Sequence, residues 1–286
     1  MEIKKVGVLG FTGAMGRGIA QVCAQAGYEV IGSSRSEERA AKTVATIDAA
    51  MGRAVERERM TQEAKDKAMS LIKGTADVKD FKDCDLVIEV AVEELEIKKQ
   101  VFVELDGICK KDAILASNTS VLPLVEMAIA TQRQEKVLGL HFFNPATAMK
   151  LVEIIKPITV NDEVVETCKK FIESLGKTPV VLPDTPGFIV NRLAVGFMLN
   201  AISLLESGVA SKEDIDAACK LGLNHPMGPL ELADLIGNDI IVDMADGIYA
   251  TLQEHRYIAP NLLRRMVAAG WLGQKSGKGF YDYSKK

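Results

Sequence analysis

Val6-Gly-Val-Leu-Gly10-Phe-Thr-Gly13-Ala-Met-Gly16-Arg-Gly18 is the stretch on which the fold turns. A short apolar run over residues 6–10 enters a glycine-rich turn, and a helical pattern over residues 14–26 follows directly. Strand, turn and helix in that order bring backbone N–H groups and the positive end of a helix dipole to one point, where a pyrophosphate binds. Glycines permit the tight turn and the close approach of a ligand to the backbone. A dinucleotide site is therefore expected at Gly10, Thr12, Gly13, Met15 and Gly16, the alternative being a tight structural turn. The spacing is G-x-x-G-x-x-G, with Thr12 near the place where the common fingerprint has its second glycine, so the loop is expected to be one residue longer.

Outward from that turn, the first 155 or so residues alternate short β-branched runs with longer helical patterns. Strands are expected over 6–10, 29–32, 86–90, 114–116, 137–141 and 152–155, which predicts an α/β, Rossmann-like, doubly wound sheet. The charged, alanine-rich segment 36–73 is too long for a simple crossover and predicts a helical-hairpin insertion. After the apolar run 180–182, Pro183-Asp-Thr-Pro186-Gly187 ends regular structure. The expected division is a dinucleotide-binding domain over 1–184 and an all-α substrate and dimerisation domain over 185–286. In the latter, Ile189, Leu193, Phe197 and Leu204 fall near helical spacing and Ser211-Lys-Glu-Asp214 has the form of a helix N-terminus.

The second strand ends in Ile31-Gly32-Ser33-Ser34-Arg35, where an NAD site carries an acidic residue for the ribose 2′-hydroxyl. Two hydroxyls and a guanidinium in place of a carboxylate offer charge-assisted bonds to a 2′-phosphate. NADP(H) is favoured, with NAD(H) as the alternative. The serines of the segment 33–36, Ser33, Ser34 and Ser36, would also cap the helix beginning near Glu37.

His141 closes the apolar run 137–141, at the carboxyl edge where α/β sheets bind ligands, and Glu153 lies in the next apolar run. A buried carboxylate needs a partner. A turn through 144–148 brings Glu153 to the imidazole, where it orients one ring nitrogen and stabilises the imidazolium, an acid/base dyad in outline. Read singly, a histidine at a strand end is also a common structural residue. Ser117-Asn118-Thr119-Ser120 is a polar loop on the same edge or a helix cap, and Asn191 is a substrate contact or a structural helix asparagine.

The 286 residues are 48% apolar and 26% charged, enough for two domains with a sizeable core, which excludes disorder and fibrous repeats. With 35 Lys+Arg against 39 Asp+Glu and no basic run, nucleic acid is not an expected partner. No apolar stretch approaches the ~20 residues that span a bilayer, and the start of the chain lacks a secretory pattern, so a soluble, cytoplasmic protein is expected. Cysteines 23, 84, 109, 168 and 219 show no pairing motif, and the histidines, at 141, 225 and 255, are scattered. Neither disulfides nor a metal are expected.

Seven ordered blocks carry a resemblance: Met15-Gly-Arg-Gly-Ile-Ala20, 89–93, 117–120, His141-Phe-Phe-Asn-Pro145, Pro186-Gly-Phe-Ile-Val-Asn-Arg192, Asn224-His-Pro-Met-Gly-Pro229 and Lys278-Gly-Phe-Tyr281. Across nearly its whole length the chain resembles the 3-hydroxyacyl-CoA dehydrogenase family, most closely the short-chain bacterial 3-hydroxybutyryl-CoA dehydrogenases. The resemblance implies reversible reduction of acetoacetyl-CoA, with His141 as acid/base, Glu153 as its partner, and Ser120 and Asn191 around the reacting oxygen. It implies that Glu93, Lys98, Ser120 and Asn144 lie along the nicotinamide half of the cofactor, and that the chain forms a homodimer. Asn118 is placed with the substrate. Arg53 and Arg57, four apart on one helix face, are candidates for the CoA 3′-phosphate or else solvated surface charges. The departure from the family lies in the glycine loop and at Ser34, which stands where NAD-binding members have an acidic residue.

Other readings are a different two-domain NADP-dependent hydroxyacid reductase, for which no catalytic lysine stands out, and a non-catalytic dinucleotide binder, against which the His141/Glu153 pair speaks. A Tyr-x-x-x-Lys reductase would have only Tyr281 with Lys285, among the last residues.

Overall fold

The computed structural model describes residues 2–284; Lys285, the second member of the Tyr-x-x-x-Lys pair, lies outside them. The chain divides into two compact units, with the break between Asp184 and Thr185.

The first unit runs β1 (Lys5–Leu9), α1 (Ala14–Gln25), β2 (Glu29–Ser33), α2 (Glu37–Glu56), α3 (Gln62–Ser70), β3 (Ile72–Thr75), β4 (Leu86–Glu89), α4 (Leu95–Ile108), β5 (Ile114–Ser117), α5 (Leu124–Ile129), β6 (Val137–Phe142), β7 (Leu151–Lys156), α6 (Asp162–Ser174) and β8 (Thr178–Pro183). These form one eight-stranded sheet ordered β3-β2-β1-β4-β5-β6-β7-β8. Neighbours are parallel except β6 and β7, which pair antiparallel. The central strands bury Val6, Val8, Leu86, Ile88, Ile114, Ala116, Leu138 and Leu140 in one core. Helices cover both faces of such a sheet, so its inner strands read as continuous apolar runs.

Six strands were expected and eight are present. The two additional ones, β3 and β8, are the edges of the sheet. β8 contains Pro179 and Pro183 and is mostly accessible, as an edge strand tolerates because its outer N–H groups have no ladder to join. The 36–73 segment forms the helical hairpin. Ser36 caps α2 by accepting from Arg39 N at 3.3 Å, and Thr61 caps α3 by accepting from Ala64 N at 3.1 Å. α2 buries Ala40, Thr43, Ile47 and Met51, a helical stripe that docks against the sheet rather than projecting freely.

The second unit comprises α7 (Val190–Glu206), α8 (Lys212–Gly222), α9 (Pro229–Ile236), α10 (Asn238–Leu252) and α11 (Asn261–Ala268), joined by short turns. Ser211 caps α8, accepting from Asp214 N at 3.1 Å. Asp234, fully buried, accepts from Phe280 N and Tyr281 N at 2.9 Å each and closes the final segment onto α9. A Cβ on Gly279 would lie 1.9 Å from that carboxylate, which explains the Lys278-Gly-Phe-Tyr281 block. α7 is apolar nearly all round. Val195, Met198, Leu199 and Ile202 form its core face, while Leu193 is 70% and Leu204 46% exposed. No helix among the described residues is long and apolar enough to cross a membrane. Among the same residues no cluster of His, Cys, Asp or Glu is arranged to hold a metal ion.

Candidate active site

The glycine loop shows which glycines the fold itself requires. Gly10 has φ +87°, and a Cβ there would come within 2.4 Å of Val90 O. A Cβ on Gly16 would come within 2.4 Å of Gly10 O, so α1 packs on the loop only without a side chain at that point. Gly13, the N-cap of α1, is different: its nearest neighbour would be Gly10 O at an ordinary 3.6 Å. The space above Gly13 lies at the helix N-terminus, as a cradle for a phosphate requires. Arg17 donates to Thr12 O at 2.8 Å and holds the loop. Met15 packs against the core. Phe11, fully buried, lies where a side chain on Gly32 would otherwise sit, and its N donates to Ser33 O at 3.2 Å.

Beside this loop is a cavity of about 400 Å³ lined in part by Thr12, Gly13, Ser33, Ser34, Arg35 and Arg39, and by apolar Val78, Val90 and Val92. Among the described residues no carboxylate lines it. Ser34 Oγ donates to Ser36 O at 2.7 Å and accepts from Ser36 N at 3.4 Å, so the hydroxyl is held in the turn before α2. The capping role foreseen for these serines thus belongs to Ser36, while Ser33, Ser34 and Arg35 line the cavity.

A second feature runs along the carboxyl ends of β4 to β7. Glu89, the last residue of β4, is fully buried and pairs with Lys98 of α4, whose Nζ lies 2.7 and 2.9 Å from its two oxygens. The Glu89 carboxylate also accepts from Ala91 N at 2.5 Å and Ser117 Oγ at 2.6 Å. Lys98 Nζ lies 3.3 Å from Glu93, and Glu93 in turn accepts from Thr119 Oγ1 and, at 2.8 Å, from Ser120 N. Ser120 Oγ lies 3.3 Å from His141 Nε2, and His141 Nδ1 lies 2.8 Å from Glu153 Oε2. One chain of polar contacts therefore links Glu89 to Glu153.

The dyad follows from register. His141 on β6 and Glu153 on β7 are direct partners in the antiparallel ladder, so their side chains share a face. Glu153 is fully buried and His141 nearly so. A carboxylate only accepts, so Nδ1 carries the hydrogen of this bond and Nε2 is the nitrogen available for proton exchange. Phe143 packs against the imidazole with ring centroids 4.5 Å apart.

The remaining predicted residues are more dispersed. Asn118 Oδ1 accepts from Phe142 N at 2.8 Å, which ties the loop to β6. Asn144 is exposed and begins a turn that Lys177 holds by donating to Ala146 O and Met149 O at 2.6 Å each. Burial, with the Lys150 ammonium nearby, keeps Lys177 below the ordinary lysine range. Arg53 lies in the last turn of α2, but Arg57 is the residue that ends the helix, and the chain leaves through Glu58 at φ +55°. Arg57 N still donates to Arg53 O at 3.3 Å, so the i, i+4 relation between the two residues is kept at the end of the helix. Asn191 lies in the first turn of α7, in the second unit.

Two residues escaped the sequence reading, Arg39 and Lys177, as did the Glu89–Ser117 bond. Glu89 carried a weaker form of the signal that marked Glu153, since it ends its apolar run whereas Glu153 lies inside one. For Arg39 and Lys177 no such signal exists in one dimension.

Residues 5–185 match the NAD-binding domain of 3-hydroxyacyl-CoA dehydrogenases and residues 187–283 match their C-terminal domain, and the chain belongs to that family. Among its relatives, the 3-hydroxybutyryl-CoA dehydrogenase of Bradyrhizobium diazoefficiens is 46% identical over 281 residues, covering 98% of this chain and 96% of that protein. The 3-hydroxybutyryl-CoA dehydrogenase of Clostridioides difficile is 42% identical, covering 98% and 100%. Among solved structures, (S)-3-hydroxybutyryl-CoA dehydrogenase from Ralstonia eutropha superposes with a TM-score of 0.97 at 39% identity, covering 99% of this chain and 100% of that one.

Proposed function

We propose that this chain reversibly reduces acetoacetyl-CoA to 3-hydroxybutyryl-CoA with a nicotinamide cofactor, NADPH being favoured. The observation that carries the chemistry is the His141–Glu153 bond of 2.8 Å with Nε2 directed to Ser120 Oγ. A bound reduced nicotinamide supplies a hydride to the ketone carbon. His141 Nε2 gives its proton to the ketone oxygen, and Glu153 holds the ring and balances the imidazolium. Ser120, whose N is bonded to Glu93 at 2.8 Å, adds a preorganised hydrogen bond to the same oxygen. To Asn191 the family resemblance assigns a further bond there. In the oxidative direction His141 takes the alcohol proton.

The cavity without a carboxylate, lined by Ser33, Ser34 and Arg35, supports NADPH over NADH. Arg53 and Arg57, both exposed and without an ion pair among the described residues, are assigned to the CoA 3′-phosphate. A homodimer in the cytoplasm completes the proposal, supported by the exposed apolar residues Leu193, Val209, Leu221 and Leu223 of the second unit. The test is the initial loss of nicotinamide absorbance on mixing the purified chain with acetoacetyl-CoA and either reduced cofactor. Oxidation of both, faster with NADPH, is expected. No oxidation of either overturns the activity, and a preference for NADH overturns the cofactor assignment.

A further inference from the structure

Resting on the NADPH reading, we propose that Arg39 is a specificity-determining residue, reading the 2′-phosphate of the adenosine ribose as a pair with Arg35. Both guanidiniums belong to the lining of the cavity beside the glycine loop. Neither makes an ion pair with any described residue, and both are exposed. The acidic side chains of the same helix turn do not compensate them: Glu37 Oε1 accepts from Ala76 N at 2.7 Å, and neither Glu37 nor Glu38 lines the cavity. Two cations without an ion pair, lining one cavity that no described carboxylate lines, are complementary to a dianion. A phosphate monoester carries about −1.5 to −2 charges at neutral pH, which one guanidinium leaves partly unbalanced and two match.

The donor inventory points the same way. Of the two hydroxyls expected to bond the phosphate, Ser33 is buried, and that of Ser34 already donates to Ser36 O at 2.7 Å. A hydroxyl has a single proton to give, so Ser34 is left as an acceptor, which a phosphate dianion does not need. Arginine instead offers a planar fork of N–H donors that fits phosphate oxygens. The backbone of Arg39 is fixed in the first turn of α2, where its N donates to Ser36 Oγ at 3.3 Å.

The experiment is equilibrium binding of 2′,5′-ADP, 3′,5′-ADP and plain ADP to the full chain and to its Arg35→Ala, Arg39→Ala and Arg39→Lys variants, with melting curves to verify folding. The unmodified chain is expected to bind 2′,5′-ADP more tightly than either other nucleotide. Arg39→Ala is expected to weaken 2′,5′-ADP by about ten- to a hundredfold, the loss of a charge-assisted bond, while ADP stays within about twofold. Arg39→Lys is expected to recover part of the loss through its point charge. A preference for 2′,5′-ADP that survives Arg39→Ala, or an equal loss for ADP, overturns this inference and leaves the NADPH reading standing. No preference in the unmodified chain overturns both. Binding of 3′,5′-ADP as tight as that of 2′,5′-ADP overturns the inference by showing a cavity indifferent to the phosphate position.

Discussion

His141 and Glu153 stand directly opposite one another in the only antiparallel ladder of the sheet described, β6 with β7, and the imidazole Nδ1 lies 2.8 Å from the carboxylate. The reversal of strand direction after β6 is what makes this possible. Cross-strand partners point to one face, so the backbone ladder itself aims the carboxylate at the ring, and no flexible loop is needed to hold the dyad. Removing the imidazole is expected to lower turnover by about 10²- to 10⁴-fold, the usual range for a general acid/base. His141→Ala should leave the affinity for the reduced cofactor nearly unchanged, and Glu153→Gln should reduce kcat with the fold intact. Steady-state kinetics beside a cofactor titration decide the matter: lost cofactor affinity with a preserved kcat would reject the assignment.

The glycine loop separates the requirements of the chain from those of the ligand. Gly10→Ala forces a side chain into positive φ and against Val90 O, and is expected to destabilise the first unit by about 2 kcal/mol or more. Gly13→Ala meets nothing closer than 3.6 Å, so denaturant midpoints should barely move while cofactor affinity falls. Equal destabilisation by the two variants would mean that Gly13 serves the fold alone.

Lys98 and Glu89 are both fully buried, their charged atoms 2.7 Å apart. Lys98→Met leaves the carboxylate in the interior without its cation, a change that typically costs about 3–5 kcal/mol. A Glu89→Leu, Lys98→Met double variant is expected to regain much of that stability yet remain slow, because Glu93 no longer has its ammonium contact. Urea denaturation with parallel kcat measurement checks this. A double variant with full activity would show the pair to be purely structural.

Burial pushes the thiols of Cys23, Cys84 and Cys168 up to about 12 and that of Cys109 up to about 11. At pH 8 these groups are overwhelmingly protonated, and the thiolate is the reactive form. Brief treatment of the native chain with iodoacetamide is therefore expected to leave all four unmodified and to label the half-exposed Cys219 slowly. Peptide mass spectrometry reads the outcome, and modification of Cys23 or Cys168 without unfolding contradicts it.

The central strands were legible because burial on both faces writes a continuous apolar run into each. The edge strands were not, since Ile72-Lys-Gly-Thr75 has a single buried aliphatic residue and Thr178–Pro183 carries two prolines. Glu153 was recognisable as a carboxylate in need of a partner; Glu89 obeys the same logic but ends its strand, where polar residues are ordinary. In α7 the spacing of Ile189, Leu193 and Leu204 marked an outward stripe, because a helix apolar on every side gives periodicity no preferred face. Arg39 was invisible for another reason. Its place beside the glycine loop depends on the sheet bringing the end of β2 next to β1, a relation that no local spacing records.

Strand order also separates the proposed site of electron-carrier choice from the proposed acid/base dyad. The arginine-bearing cavity lies at the end of β2 and the dyad on β6 and β7, with β1, β4 and β5 between. At about 4.8 Å per strand, β2 and β6 are roughly 19 Å apart, beyond the distance over which exposed charges act through physiological salt. A replacement such as Ser34→Asp can therefore change which cofactor is accepted without the histidine sensing it. On the proposed assignments the architecture is modular: the supply of reducing power would be retuned at one end of the sheet while the reaction at the other kept its own acid and base.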